Sequence, residues 1–288
     1  MIFSFIINLI ITLSSGPEIP VLSYSAPIIK PVANVSYPEI SADKAVVFSP
    51  SDRSFFFKKN ADKPQAIASI TKLMTALVFI DNNPGWDTTY IIDESDKIEG
   101  GKLSLFSGDE VTVDDLFKTS LVASDNGATI ALVHASGLSE KDFVLKMNEK
   151  ARTLGLTNTS FADPIGLSDK NLSSAREIAI LAQAALSIPE IRNTVVLAEY
   201  SYTTISGREK NIESTDYLLF VDENKGLKAA GGKTGYTDEA GYCFVGKFFD
   251  KSGKEFISVV LDSENKNSRF KESRDLVISV LENYEINR

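Results

Sequence analysis

The spacing of apolar positions changes several times along the chain, and each change marks a predicted element. Ala45-Val46-Val47-Phe48 and Ser54-Phe55-Phe56-Phe57 are short apolar runs flanking Ser49-Pro50-Ser51-Asp52-Arg53, which predicts a hairpin with a proline-containing turn. From Ala68 the period lengthens. Ile70, Leu73, Leu77 and Val78 recur at helical spacing and predict a buried helix that ends before Asn83-Pro84-Gly85. Residues 86–114 read as short strands and turns. Val113–Val122 is helical, breaks at Ala123-Ser124-Asp125-Asn126-Gly127 and resumes over Ala128–Ala135. Ser139-Glu140-Lys141-Asp142 opens an amphipathic helix running to Leu154, and the irregular stretch Gly155–Ser173 precedes a helix over Ala175–Leu186. Strand-like runs follow at Val195–Thr203, Tyr217–Val221, Tyr242–Phe249 and Phe256–Leu261. Arg269–Tyr284 closes the chain as an amphipathic helix with Leu276, Val277, Val280 and Leu281 inward. Strands at both ends with helices between predict an α+β fold, an antiparallel sheet with helices packed on it.

Residues 2–13 are apolar but too short for a membrane span of about 20 residues. They fit the apolar region of an export signal, although no Lys or Arg precedes them, and Ser23-Tyr24-Ser25 before Ala26 is a candidate cleavage site. An uncleaved anchor is the alternative. Pro17, Pro20, Pro27, Pro31 and Pro38 then give the composition of an extended linker. The expected organisation is a signal or membrane anchor over 1–25, a linker over 26–39 and one folded domain over 40–288, on the extracytoplasmic side.

At 288 residues and 43% hydrophobic, the chain can bury the core of a large domain. A net charge of −9 argues against nucleic acid, which selects for basic patches. The one cysteine, Cys243 between Tyr242 and Phe244, excludes an internal disulfide and reads as a buried, inert thiol. The one histidine, His134, stands at a helix tail, where it is expected to complement the negative end of the dipole. No metal site of two or more imidazoles or of several cysteines can form, and the serine chemistry expected below needs no cofactor. A serine enzyme built from this chain would need lysine as its base.

Ser69 and Lys72 supply that pair. Three residues apart, their side chains share one helix face. A serine hydroxyl is a weak nucleophile until a base takes its proton, and burial among apolar groups can lower a lysine pKa enough to make it that base. Ser-x-x-Lys is a cheap pattern, and Ser41/Lys44, Ser263/Lys266 and Ser268/Lys271 also match it, but only Ser69 opens an apolar helix. A second element is Ser124-Asp125-Asn126, whose hydroxyl and carboxamide could relay a proton and hold an amide; Ser263-Glu264-Asn265 is a decoy. The third is Lys233-Thr234-Gly235 within Ala230-Gly231-Gly232-Lys233-Thr234-Gly235-Tyr236. Glycines there let backbone approach a ligand, Lys233 offers a positive charge and Thr234 a hydroxyl for a carboxylate. A phosphate-binding Walker loop would need glycine at Lys228, and a plain surface glycine turn is the other reading.

The order Ser-x-x-Lys, Ser-x-Asn, Lys-Thr-Gly is that of penicillin-binding proteins and class A β-lactamases. From Ile40 to the end the chain resembles the low-molecular-mass penicillin-binding proteins, serine D-Ala-D-Ala carboxypeptidases. The resemblance extends to Leu121-Val122-Ala123-Ser124, Asn158-Thr159-Ser160-Phe161, Asp163-Pro164-Ile165-Gly166-Leu167, Ser173-Ser174-Ala175-Arg176-Glu177 and Lys233 through Tyr242. It implies a β-lactamase/transpeptidase-like fold with an all-helical subregion carrying the Ser-x-Asn loop. It also implies peptidoglycan stem peptides as substrates, β-lactams as covalent inhibitors, and Ser69, Lys72, Ser124 and Asn126 as catalytic residues. Lys233, Thr234, Gly235, Tyr236 and Thr215 would bind substrate, with Lys233 helping to keep Lys72 neutral by repulsion. No Glu-x-x-Leu-Asn lies between Asn126 and Lys233, so efficient β-lactamase activity is not expected.

Three departures stand out. Gly127 follows Asn126 where the family usually has an acidic or bulkier residue. Ser214-Thr215-Asp216-Tyr217-Leu218-Leu219 stands where the family typically shows Asn, Thr or Arg, then Asn before the leucine pair. A C-terminal β-rich domain and membrane tail common in the family are not seen. The competing readings are a D,D-endopeptidase using the same residues and an inactive wall-binding homologue.

Overall fold

The structure is a computed structural model that describes residues 30–31, 35–98, 104–221 and 226–285. The expected signal or anchor and much of the expected linker lie outside the described residues. Ser36 donates its backbone N–H to Asn283 Oδ1 at 3.0 Å and the Tyr37 hydroxyl donates to the Phe56 carbonyl, so contacts with the body extend upstream of Ile40.

The centre is a five-stranded antiparallel sheet. Its strands are β1 (Lys44–Ser49), β2 (Ser54–Lys59), β3 (Lys228–Thr237), β4 (Gly241–Phe249) and β5 (Glu255–Ser263), in the order β3-β4-β5-β1-β2. The β1–β2 hairpin forms where its apolar runs predict it, with Val47 opposite Phe57. Both faces of the sheet are covered, so these strands read as continuous apolar runs rather than alternating ones. Successive side chains still point to opposite faces. Val46, Phe48, Val245, Ile257 and Val259 join the larger core with helix α5 (Ala175–Ser187). Val47, Phe244, Phe248, Phe256 and Val260 pack with Phe270, Leu276, Val277 and Val280 of the closing helix α7 (Ser268–Asn283).

The remaining helices form a subregion beside the sheet: α1 (Lys72–Ile80), α2 (Val113–Val122), α3 (Asn126–Ala135), α4 (Glu140–Thr153) and α6 (Pro189–Val195). Phe79 of α1 meets Trp86 and Phe117 with ring centroids 6.2 and 6.0 Å apart. Full burial of such a ring is worth about 3 kcal/mol. That cluster anchors α1, and α1 carries the Ser69–Lys72 pair. Ser139 caps α4 as expected, accepting the Asp142 N–H.

Two strand expectations are corrected. Val195 ends α6, opened by Pro189 in its first turn, so the strand starts only at Glu199 and pairs as Glu199–Thr203 with Glu209–Glu213. Tyr217–Val221 is not a strand; Tyr217–Phe220 is a 3₁₀ turn capped by Asp216, whose carboxylate accepts the Leu218 N–H at 3.0 Å. The glycine-bearing segment around Lys233 is no surface turn but strand β3, on the sheet edge, with a bulge between Ala229 and Gly232. Gly231 makes the bulge possible. Its φ is +82°, and a Cβ there would lie 2.6 Å from the Val195 carbonyl oxygen.

Candidate active site

Ala68–Thr71 forms a 3₁₀ turn and Lys72 begins α1, so Ser69 and Lys72 sit on one face at the helix entrance. Ala68, just ahead of Ser69, has φ +48°, a conformation that costs energy in a non-glycine residue and clusters at functional sites. Ser69 is half-buried and Lys72 completely buried. Lys72 Nζ lies 3.0 Å from Ser69 Oγ, 2.7 Å from Asn126 Oδ1 and 2.8 Å from the Ile165 carbonyl oxygen. Burial lowers the Lys72 pKa from 10.5 to about 7, against the opposing pull of Asp125 and Asp163. A neutral amine has two N–H donors and one lone pair. The Asn126 and Ile165 oxygens can only accept, so they take both donors and leave the lone pair to the Ser69 hydroxyl.

Ile165 belongs to the Asp163-Pro164-Ile165-Gly166-Leu167 loop. The Asp163 carboxylate accepts the N–H groups of Ile165, Gly166 and Ser168 at 2.8, 2.5 and 2.6 Å. Asn171 Oδ1 holds the Ala162 N–H at 2.6 Å. Thr75 of α1 reaches the Pro164 carbonyl at 2.5 Å, which seats the loop on the helix. Gly166, at φ +91°, presses against the Ser69 turn; a Cβ there would be 2.1 Å from the Ala68 carbonyl oxygen. The sequence supplied this loop only as part of a resemblance. A backbone carbonyl has no residue signature, so its contact with Lys72 was not foreseen.

The second element bridges α2 and α3. Ser124 occupies a turn with φ +58°. Asp125, buried, caps α3 by accepting the Ala128 N–H at 2.8 Å and holds the Ser104 N–H at 3.0 Å. That cap starts α3 two residues before the expected Ala128 and turns Asn126 toward Lys72. Lys233 of β3, also buried, donates to Ser124 Oγ at 2.7 Å and to the Thr234 carbonyl at 3.0 Å. Burial also holds the Lys233 pKa well below its usual value, with the nearby charges of Lys72 and Arg269 adding to it and Asp216 opposing it; repulsion between the two lysines acts on both.

Thr234 donates its hydroxyl to Thr215 Oγ1 at 2.7 Å. Tyr236 is half-exposed, packs on Tyr242 with centroids 4.4 Å apart and donates to Asp238. A groove of about 860 Å³ exposes Ser69, Ser124, Asn126, Thr215, Thr234, Gly235 and Tyr236 together, with Lys72 and Lys233 beneath it. All nine residues singled out from the sequence therefore converge. The groove also takes in Arg269, which the sequence showed only as the start of an amphipathic helix. Its guanidinium donates to the Gly235 carbonyl at 3.1 Å, its Nε is buried without a partner, and burial brings its pKa down to about 10.

The decoy serines Ser41 and Ser263 both donate to the Glu272 carboxylate at 2.6 and 2.9 Å, and Lys44 pairs with Asp43. Cys243 is buried, its thiol pushed up to about 12 by desolvation. His134 lies in the last turn of α3 as expected, but its partner is a carboxylate: Nδ1 is 2.7 Å from Asp96.

The family model described as D-alanyl-D-alanine carboxypeptidase, of the S11 peptidases, matches residues 31–265. The D-alanyl-D-alanine endopeptidase of Haemophilus influenzae is 37% identical over 217 residues, 74% of this chain and 72% of that protein. The D-alanyl-D-alanine carboxypeptidase DacF of Bacillus subtilis is 32% identical over 238 residues, 79% of this chain and 59% of that protein. Among solved structures, the Streptomyces K15 DD-transpeptidase superposes with a TM-score of 0.79 at 28% identity, over 86% of this chain and all (100%) of that one. Penicillin-binding protein D2 from Listeria monocytogenes, in its cefotaxime-bound form, gives 0.73 at 33% identity, over 85% and 99%. The expected α+β, β-lactamase/transpeptidase-like architecture is the one these structures share. With its three motifs gathered in one groove, the chain belongs to the D-alanyl-D-alanine carboxypeptidase family of S11 peptidases.

Proposed function

We propose that this protein is a serine D-Ala-D-Ala carboxypeptidase that removes the terminal D-alanine of peptidoglycan stem pentapeptides through an acyl-enzyme on Ser69. The observation that carries the reading is the set of contacts around Lys72, whose two N–H groups are taken by Asn126 and Ile165. Its lone pair accepts the Ser69 proton as Oγ attacks the peptide carbonyl. The N–H groups of Ser69 and Tyr236 hold the oxyanion; loss of one such donor typically costs about 3 kcal/mol, or about a hundredfold in rate. The C–N bond then breaks. Ser124, bonded to Lys233, gives its hydroxyl proton to the leaving amine and regains one from the Lys72 ammonium, and Asn126 positions the peptide. Thr234 and Thr215 take the terminal carboxylate, and Arg269 and Lys233 supply positive charge behind them. Water releases the shortened peptide and the free enzyme. β-Lactams enter the same chemistry and stop at the acyl-enzyme.

The same residues support a D,D-endopeptidase, and the relatives named D-alanyl-D-alanine endopeptidase in Haemophilus influenzae and Escherichia coli favour that second reading. Chromatography of peptidoglycan peptides treated with protein lacking residues 1–25 separates the two. Free D-alanine from pentapeptides identifies the carboxypeptidase, and resolved cross-linked dimers identify the endopeptidase. Ser69→Ala abolishes covalent labelling by fluorescent penicillin; retained labelling refutes the nucleophile, and wild-type protein that takes no label restores the inactive-homologue reading. The substrate places the protein in the cell envelope, with residues 1–25 as signal or anchor ahead of the catalytic domain.

A further inference from the structure

Asp216 is a buried carboxyl group between Thr215 and Tyr217, which line the groove, with no place in the chemistry above. Its neighbours in the chain tie it to both cations of the carboxylate end. On one side Thr215 receives the Thr234 hydroxyl, next to Lys233. On the other, the Tyr217 ring packs on Phe270, next to Arg269, at 6.2 Å. Its carboxylate accepts the Leu218 N–H and its own N–H is held by Ser214 Oγ at 3.1 Å, so it is fixed in place. The charges that act on it are those of Arg269 on α7 and Lys233 on β3, and both oppose the effect of its burial. Asp216 lies in one of the departures noted in the sequence, where the family resemblance implies asparagine.

We propose that Asp216 is a specificity-determining residue: its carboxyl group sets how much positive charge Lys233 and Arg269 present to the terminal carboxylate of the substrate. Ionised, it cancels one of those charges. Neutral, it leaves both fields to the substrate, so binding of a carboxylate and protonation of Asp216 favour each other. Burial already pushes this group up to about 7, which brings the exchange into the neutral pH range. The inference rests on the proposed D,D-peptidase reading and adds a pH-dependent preference for acids over neutral analogues at the same site.

The test uses two acyl-D-alanine thioesters, one whose leaving group ends in a carboxylate and its methyl ester, with the full-length protein and Asp216→Asn. With wild-type protein, KM for the acid rises between pH 6 and 8.5 by up to about tenfold per pH unit, while KM for the ester does not. Asp216→Asn flattens that rise and lowers KM for the acid at pH 8 by about tenfold, leaving kcat and the ester unchanged. Asp216→Ser keeps a capping acceptor without charge and replaces the asparagine variant should that one fail to fold. The proposal is overturned if the acid and ester profiles run parallel in wild-type protein, or if the uncharged variants keep the wild-type rise. In either case both thioesters still turn over through Ser69; only loss of that turnover in wild-type protein counts against the enzymatic reading itself.

Discussion

Replacing Lys72 by arginine isolates the property on which base catalysis depends. Arginine keeps a long side chain and a positive charge but stays protonated at any pH the protein survives, so it can donate to Asn126 and Ile165 yet cannot accept the Ser69 proton. With a pKa of about 7, Lys72 is about 90% neutral at pH 8, whereas an ordinary lysine at 10.5 is about 0.3% neutral, an advantage of about 300-fold in available base. Removing a positioned general base costs about 10² to 10⁴ in rate. Single-turnover acylation by fluorescent penicillin, followed by stopped flow from pH 5 to 9, reads both effects. The wild-type rate should climb about tenfold per pH unit below 7 and level off above it. Lys72→Arg should acylate at least about 300-fold more slowly at pH 8, with no inflection near 7 and a circular dichroism spectrum like that of wild type. Acylation of the arginine variant within tenfold of wild type, or a wild-type rate flat from pH 5 to 7, would refute a neutral Lys72 as base.

Gly166→Ala drives a methyl group to within 2.1 Å of the Ala68 carbonyl at a φ that disfavours side chains, and should cost about 3 kcal/mol in urea unfolding with penicillin labelling lost; an unchanged midpoint with normal labelling would show that the loop yields freely. Stability should also depend on pH through two buried groups of opposite sign. Asp216 holds its proton to about pH 7 in the fold but only to 3.8 when unfolded, so its contribution is full below about 4 and lost as pH rises through about 7. Lys72 loses its proton at about 7 in the fold and at 10.5 unfolded, so its penalty is full below about 7 and fades toward 10.5. Asp216→Asn should therefore gain up to about 4 kcal/mol at pH 8 and nothing at pH 4; equal gains at both would remove buried ionisation as the cause.

The parts of the fold that were legible are those whose packing partners share a local period. The β1–β2 hairpin, α1, α2, α4, α5, β4, β5 and α7 all follow apolar spacing because each buries a fixed face or both faces. Strand β3 was harder to read because Gly231 and Gly232 present no side chains to count, and the bulge there breaks the alternation. Tyr217–Phe220 looked like a strand because its residues are apolar and aromatic, but the Asp216 cap and the contact of Tyr217 with Phe270 fold it into a 3₁₀ turn. In the site, Ser69, Lys72, Ser124, Asn126 and Lys233 could be picked out by residue type and order. The Ile165 carbonyl could not, and neither could Arg269, which enters the groove only because α7 packs across β4 and β5.

The arrangement of carboxylates explains how two lysines can lie buried at the floor of one groove. Among the described residues, the hydrogen-bond partners of Lys72 and Lys233 are all neutral: a carboxamide, two hydroxyls and two backbone carbonyls. The acids closest to them are committed to backbone N–H groups. Asp163 holds the loop at Ile165, Gly166 and Ser168, Asp125 caps α3 and holds Ser104, and Asp216 caps the turn at Leu218. Each of these bonds shapes a wall of the site and also occupies lone pairs that could otherwise draw a proton onto Lys72. A carboxylate placed directly on Nζ would stabilise the ammonium and raise its pKa, and the base would be lost however well the helix packed. The loops that bring Ile165 and Asn126 to Lys72 thus hold the nearby acids away from it, so the geometry of the site and the neutrality of its base come from the same hydrogen bonds.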